Sequence, residues 1–377
     1  MKQGTPPALS FLDDALSDAE RQNLLRERPP PEDAAVASFC SNDYLALAGR
    51  RAPEEACGVG ASRLVSGDRP IHARLEAAAA ELVRLPASLA FTSGYAANVG
   101  LLSALAGPED LIVSDALNHA SIIDGARLSR AAVAIVPHLD VEAVERALAL
   151  RKAKHAFVVT ESYFSMDADS PDLPALRRLC DEHGAALVVD EAHALGVLGA
   201  DGRGLCAESG VRADALVGTF GKAFGAAGAF VAGCPALAAW LWNRARTFVF
   251  STGLSPVVAA AALDGLRRAR EEPARRQKVC ATAAQLRAGL GGAGAELRGF
   301  GHIIPWIVGD AAKAMRIAAE LRACGMDVRA IRPPSVPTGT ARLRITVTAA
   351  HERRDIERLV EAARRLRRDA AAWREEA

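Results

Sequence analysis

Residues 186–196 read ALVVDEAHALG. Four apolar residues, two of them β-branched, lead into an acid, and a histidine follows three positions later. The apolar part shows no alternation. A strand of that kind is buried on both faces, as in a parallel sheet covered by helices. It ends in a carboxylate, and ligands of such sheets sit at the carboxyl ends of the strands.

The same reading extends in both directions. SLAFTSG, DLIVSD, AVAIVP and HAFVVTES precede it, and ADALVGTF and AFVAG follow it. Helical patterns separate them: 73–85, which stops at Pro86, then 95–106, 119–130, 141–150 and 173–184. Regular alternation of this type predicts an α/β sheet with helices on both faces. Residues 9–28 read as an amphipathic helix, with Leu9, Leu12, Leu16 and Leu24 roughly on one side, ending at the proline run 29–31. VASFCSND at 36–43 reads as a short strand. An Ala/Arg-rich stretch at about 256–290 reads as one or two helices leaving the sheet domain. HIIPWIVG, a helix, ARLRIT and a charged last helix then form a smaller α+β unit. The expected division is an N-terminal helix and strand segment 1–45, a large domain 46–265 and a small domain 266–377.

Composition limits the function classes. The chain has 377 residues, 50% hydrophobic and 24% charged, with 46 Lys+Arg against 45 Asp+Glu. A net charge of +1 gives no reason to expect a basic surface for nucleic acid or anionic membrane. The seven Cys are scattered, without C-x-x-C and without histidines at zinc-ligand spacing. That pattern fits a reducing compartment, and no metal is expected. The polar, acidic start is not a signal peptide, and no apolar run reaches membrane-spanning length. A cytoplasmic protein is expected.

D-E-A-H after a buried strand also occurs in nucleotide-hydrolysing machines. Those need G-x-x-x-x-G-K-[ST] upstream. The only G-K pair, Gly221-Lys222, lies downstream, Ala223 replaces the hydroxyl residue, and no glycine stands five positions before Gly221. A dinucleotide-binding G-x-G-x-x-G after the first strand is also missing. Pyridoxal phosphate (PLP) chemistry asks for a lysine to form the imine and an acid at the pyridine nitrogen. Lysine is scarce: positions 2, 152, 154, 222, 278 and 313. Only Lys222, in GTFGKAFGAAG, lies among Phe and Gly rather than in a polar stretch. A lysine there is costly to bury, and a buried lysine of depressed pKa is a good imine-forming nucleophile. Asp190 alone reads equally as a helix cap and His193 as a loop histidine; with Lys222 they form a constellation. FTSGYAANVG (91–100) runs a strand into a helix start that offers N–H groups to a phosphate, or is a plain turn. His119 in DALNHAS stands where an imidazole stacks on a ring, or is structural. The Ser-Thr pair in VFSTGLSP is an ordinary turn, or completes the phosphate site of a neighbouring subunit.

The ordered series SNDYLAL, GASRLVSGDRPIHARLE, TSGYAAN, NHAS, TESYFSMDAD, VVDEAHALGVLG, TFGKAFG, FSTGLSP and IRPPSVP resembles the α-oxoamine synthase family of fold-type I PLP enzymes. The likeness covers about residues 9–360. It implies the fold-type I transferase fold, with a large, mostly parallel sheet domain and a smaller C-terminal α+β domain. It implies a homodimer with a shared active site. DEAHALGVLG and TFGKAFGAAGAFVAG are most similar to the branch that joins L-alanine to a pimeloyl thioester of CoA or acyl-carrier protein. Other branches use glycine with short acyl-CoA, or serine with long acyl-CoA, and some subunits of this fold are silent scaffolds, usually without the lysine.

By resemblance, Lys222 holds PLP and abstracts the α-proton, Asp190 pairs with the pyridinium, His193 bonds the phenolic oxygen and His119 stacks on the ring and meets substrate. Ser165 and Thr219 help hold the cofactor. The backbone at Gly94 and Tyr95 binds phosphate, with Thr252 contributed across the dimer. Arg332 binds the amino-acid carboxylate, and Arg26, Asn42 and Ser335 meet acyl substrate and product. Four features depart from the family pattern. The stretch between Arg26 and Ser41 is short. Ala194 and Ala168 stand where Gly is usual, and Ser335 where Thr is usual.

Overall fold

The structure is a computed structural model describing residues 7–9, 11–22, 24–25, 36–51 and 53–372. A two-residue strand, β1 (Ala37–Ser38), comes first. The central sheet is built from β2 (Ala87–Phe91), β3 (Leu111–Asp115), β4 (Ala132–Val136), β5 (Ala156–Glu161), β6 (Ala186–Asp190), β7 (Ala215–Thr219) and β8 (Ala229–Gly233). Their order is β2-β8-β7-β6-β5-β3-β4. Only β8 runs antiparallel to its neighbours, so the carboxyl ends of the other six strands share one edge. The register sets Glu161 beside Asp190, and Asp190 beside Val217.

Each strand forms where the sequence places an apolar run between breakers. Leu187, Val188 and Val189 are all but fully buried, each contributing about 1.5–3 kcal/mol by leaving water. One hydrophobic cluster holds Leu187 and Val189 and a second holds Val188, as expected of a sheet packed on both faces. β4 is the exception to the doubly buried expectation. It is the sheet edge, and Val133 and Ile135 on it are exposed.

The second sheet, order β12-β13-β10-β9, is antiparallel, with β9 (Glu296–Leu297), β10 (Ile303–Gly309), β12 (Arg329–Ile331) and β13 (Ala341–Thr346). β11 (Met326–Asp327) instead pairs with β1 in parallel. Phe39 joins a third apolar cluster with Leu286, Leu321, Leu343, Ile345 and Leu359, so the segment after β1 is anchored on C-terminal elements. The Ala/Arg-rich stretch is two helices, Pro256–Glu271 and Pro273–Gly292, divided at Pro273, the first residue of the second. The N-terminal helix is Phe11–Arg21, shorter than its sequence pattern. No residue of it is buried, and Phe11, Leu12 and Leu16 are exposed. Arg26 lies outside the described residues.

Candidate active site

Lys222 sits in the turn between β7 and β8. Gly225 closes that turn at φ +60°, its N–H bonding the Lys222 carbonyl at 2.9 Å. A Cβ at Gly225 would collide with the backbone of Leu47 and Ala48. Glycine there seats the lysine turn against the segment that carries Asn42 and Tyr44. Burial pushes the Lys222 pKa down to about 8, against the opposing fields of Asp190 and Glu161, while Arg344 adds to the lowering. An ordinary lysine titrates near 10.4, so this one is a far better base and nucleophile near neutral pH.

Asp190 ends β6 and is buried. Its Oδ1 accepts the N–H of Ala192 at 2.8 Å, and its Oδ2 accepts Nδ2 of Asn98 at 2.7 Å. Two donors fix the plane of the carboxylate. Glu161 ends β5 in the same way, and desolvation raises its pKa to about 8, with the Asp190 charge acting in the same direction. Its Oε1 accepts the backbone N–H of His119 at 2.7 Å. His119 caps the helix Ala120–Ser129 and shares a 2.7 Å hydrogen bond through Nδ1 with the Ser121 hydroxyl. Its pKa is lowered, by desolvation first and by Lys222, with Asp190 opposing.

His193 is buried, and its Nδ1 lies 2.7 Å from the Tyr44 hydroxyl. Burial, then the neighbouring charges of Lys222 and Arg344, hold its pKa well below the usual range. It is therefore a neutral ring at working pH. Thr219 ends β7 and donates to the Gly228 carbonyl at 3.0 Å, while accepting the N–H of Gly221 at 3.1 Å. A Cβ on Gly94 would stand 4.0 Å from Thr219 Oγ1, which places the start of the helix Gly94–Leu105 beside the lysine turn. Ser93 caps that helix through Ala96 N–H. The N–H groups of Gly94 and Tyr95 have no partner within the helix, as at any helix start. Tyr95 is exposed and its hydroxyl donates to Asp124.

The remaining residues named from the sequence are more dispersed. Ser165 is half-buried, and its carbonyl accepts Nε of Arg344 at 2.7 Å. Asn42 Oδ1 accepts Nη1 of Arg344 at 3.1 Å. Arg332 donates Nη2 to the Leu25 carbonyl at 3.2 Å. Ser335 is exposed, its N–H bonding the Arg332 carbonyl at 3.0 Å. Thr252 is exposed on the turn before Gly253, whose N–H bonds Ala61. A cleft of about 900 Å³ between the helices Pro70–Val83 and Pro256–Glu271 holds none of these residues.

Several site residues were not singled out from the sequence. Arg344 is buried and central, and its Nη2 has no hydrogen-bond partner among the described residues. Arg342, two positions earlier on β13, binds Asp167 Oδ1 at 2.7 Å and the Met166 carbonyl at 3.0 Å. The signal was there in ARLRIT, where arginines alternate with Leu343 and Ile345. Period-2 alternation gives a strand one polar face and one apolar face. Glu161 carried a signal as well, because AFVVTE ends β5 in an acid as ALVVD ends β6.

Among known proteins, the family model described as aminotransferase class I and II matches residues 34–362. The 8-amino-7-oxononanoate synthase of Anaeromyxobacter dehalogenans is 48% identical over 335 residues, covering 86% of this chain and 84% of that protein. The 8-amino-7-oxononanoate synthase of Methylococcus capsulatus is 44% identical over 374 residues, covering 94% of this chain and 97% of that one. The solved serine palmitoyltransferase of Sphingomonas wittichii superposes with a TM-score of 0.90 at 28% identity, covering 97% of this chain and all of that one. A lysine of lowered pKa between strand-end carboxylates, on this fold and at these identities, leads to one conclusion: the chain belongs to the 8-amino-7-oxononanoate synthase family, PLP-dependent acyltransferases of biotin biosynthesis.

Proposed function

We propose that this chain joins L-alanine to a pimeloyl thioester, giving 8-amino-7-oxononanoate, CO₂ and the free thiol carrier, with Lys222 as its central base. The observation that carries the reading is Lys222, its pKa lowered by burial, held beside two strand-end acids, Asp190 and Glu161, and a buried guanidinium.

The residues present fit PLP. A buried lysine of lowered pKa, a fixed carboxylate and an open helix start are the donor and acceptor set that its aldehyde, pyridine nitrogen and phosphate require. When bound, the cofactor supplies a carbonyl for the amino group of alanine and a ring that takes up the electron pair left at Cα. Asp190, fixed by Asn98 and Ala192, would keep the pyridine nitrogen protonated. His193 stays neutral and would bond the phenolic oxygen. The N–H groups at Gly94 and Tyr95, with Thr219 and Ser165, would hold the phosphate side and ring of the cofactor.

Lys222, once displaced by the substrate amine, removes the α-proton. Cα then attacks the thioester carbonyl and the thiol leaves. The carboxylate departs as CO₂, and a proton returned to the same carbon completes the aminoketone. Positioned proton transfers of this type contribute about 10²–10⁴-fold.

Two arginines are candidates for the alanine carboxylate. Arg332 is the one implied by resemblance. Arg344 is favoured by geometry: it is buried, its charge lowers the Lys222 pKa, and among the described residues its hydrogen bonds go to neutral oxygens of Ser165 and Asn42 and leave Nη2 without a partner. A buried guanidinium without a carboxylate is costly until one arrives. Arg332, Asn42, Ser335 and Arg26 are then left for the acyl substrate and product, and His119 for the ring face.

A homodimer is proposed, in which Thr252 on its exposed turn reaches the neighbouring phosphate site. Exposed Phe250 and Val65 near that turn support an apolar contact there. The division into 46–265 and 266–377 is likewise proposed, supported by a separate apolar cluster in the C-terminal elements. Seven free cysteines support a reducing, cytoplasmic setting, and among the described residues no helix is long and apolar enough to cross a membrane. The test is product formation with alanine, glycine or serine against pimeloyl-CoA and pimeloyl-acyl-carrier protein. Turnover with alanine and either pimeloyl donor is expected; turnover only with another amino acid and acyl chain would overturn the assignment.

A further inference from the structure

Tyr44 has no role so far, yet it is fully buried and touches the catalytic core. Its hydroxyl lies 2.7 Å from His193 Nδ1 and 3.1 Å from Asn42 Oδ1. The same Asn42 oxygen also accepts Nη1 of Arg344 at 3.1 Å. The Tyr44 ring packs edge-on against His302, centroids 4.1 Å apart. His302 is itself buried, and neither of its ring nitrogens has a hydrogen-bond partner among the described residues.

A phenol has one proton and two acceptors to choose from here. His193 is buried among Lys222, Arg344, His302 and His119, so its ring carries one proton, not two. The direction of the Tyr44 hydroxyl and the tautomer of His193 are therefore the same question. If Tyr44 donates to Nδ1, the His193 proton sits on Nε2. If Tyr44 donates to Asn42, Nδ1 must carry the proton and Nε2 is a bare lone pair. Two observations favour the first arrangement. The separation to His193 is the shorter one, and Asn42 Oδ1 already receives a charged donor from Arg344. Burial raises the Tyr44 pKa, so the hydroxyl keeps its proton to give.

We propose that Tyr44 is a positioning residue that locks His193 in the Nε2–H tautomer, so that the ring offers a donor to the phenolic oxygen of PLP. The inference rests on the PLP reading for the identity of the acceptor, but the tautomer itself is a property of this chain alone. A lone pair at Nε2 would repel that oxygen instead of holding it.

The test is ¹⁵N NMR of histidine-labelled protein, with and without PLP, the His193 signals being assigned by their loss in His193→Gln. The expected result is an unprotonated Nδ1 and a protonated Nε2 in both forms. Tyr44→Phe keeps the ring and removes only the hydroxyl. It should lose the single-tautomer signature, shift the visible absorbance of the PLP form and lower kcat while leaving KM for alanine near its parent value. Asn42→Ala, which removes the competing acceptor, should leave the tautomer in place. A protonated Nδ1 in the parent, or an unchanged pure Nε2–H signature in Tyr44→Phe, would overturn the proposal. The parent spectrum decides even if Tyr44→Phe does not fold. A protein that takes up no PLP would end the functional reading, and its PLP-free spectrum would still decide the role of Tyr44.

Discussion

The site has two halves that are built differently. The sheet-edge half consists of Asp190, Glu161, His119 and Thr219, each ending a strand or lying just beyond one, held by backbone N–H groups and by Asn98. The other half comes from the two ends of the chain: Asn42 and Tyr44 after β1, and Arg342 and Arg344 on β13. It is tied to the Ser165–Asp167 loop by guanidinium bonds to carbonyl and carboxylate oxygens. The sheet edge is a rigid platform fixed by ladder hydrogen bonds, suited to chemistry that must not drift. The β13 half is fixed by long side chains that reach the Ser165–Asp167 loop and Asn42, and it carries the positive charge that a carboxylate substrate would need. We propose from this difference that cofactor chemistry rests mainly on the first half, and that recognition of a carboxylate substrate rests on the arginines of the second.

Substitutions that separate the halves can break this division. Lys222→Ala should have the largest effect, a fall in turnover of about 10²–10⁴-fold or more, with an unchanged thermal midpoint; retained turnover would remove Lys222 from the chemistry. Arg344→Gln should weaken kcat/KM for alanine by about 10- to 100-fold, the range expected of a charged hydrogen bond of about 1.5–3 kcal/mol, chiefly through KM. Arg332→Ala should cost less, and the opposite ranking in steady-state kinetics would return the carboxylate to Arg332. Ser335→Ala removes one exposed neutral donor and should raise KM for the thioester by about two- to tenfold, leaving KM for alanine alone.

The smallest effect on turnover is expected at His138, which lies outside both halves. Its ring bonds Asp115 Oδ1 at 2.8 Å and Asp169 Oδ2 at 3.2 Å. Despite the opposing cost of burial, these two carboxylates raise its pKa to about 9. A pKa raised above the unfolded value near 6.5 stabilises the fold fully below that pH, and the contribution is lost as pH rises through about 9. Thermal midpoints recorded between pH 6 and 10 should fall across that window in the parent. They should be flatter in His138→Ala, with turnover at pH 7 little changed. A parent curve that stays flat through pH 9 would contradict the pairing.

The two halves also differ in how well they can be read from sequence. All seven strands of the large sheet were legible as short apolar runs between breakers, and Lys222 stood out because lysine is rare and the others lie in polar stretches. Asp190, His193 and His119 were legible because each sits at or just past a strand end, a local feature, whereas Thr219 was named through the family resemblance. The exposure of β4 was not, because AVAIVP reads the same at an edge as in the middle of a sheet. The second half was mostly hidden. Tyr44 meets His193 across 149 positions, and Asn42 meets Arg344 across 302. No local period reports contacts of that range, and nothing local to ARLRIT marks Arg344 out among the many arginines. Arg332 drew notice only through the family resemblance carried by IRPPSVP, whereas Arg344 lay inside an ordinary strand.

The central claim is that Lys222 is the residue that holds PLP. The most direct measurement is borohydride reduction of the PLP-loaded protein followed by peptide mapping. The account predicts a stable PLP tag on the peptide containing Lys222 and on no other, with the visible absorbance band lost. A tag on Lys278 or another lysine, or a protein that takes up no PLP to be reduced, would contradict it.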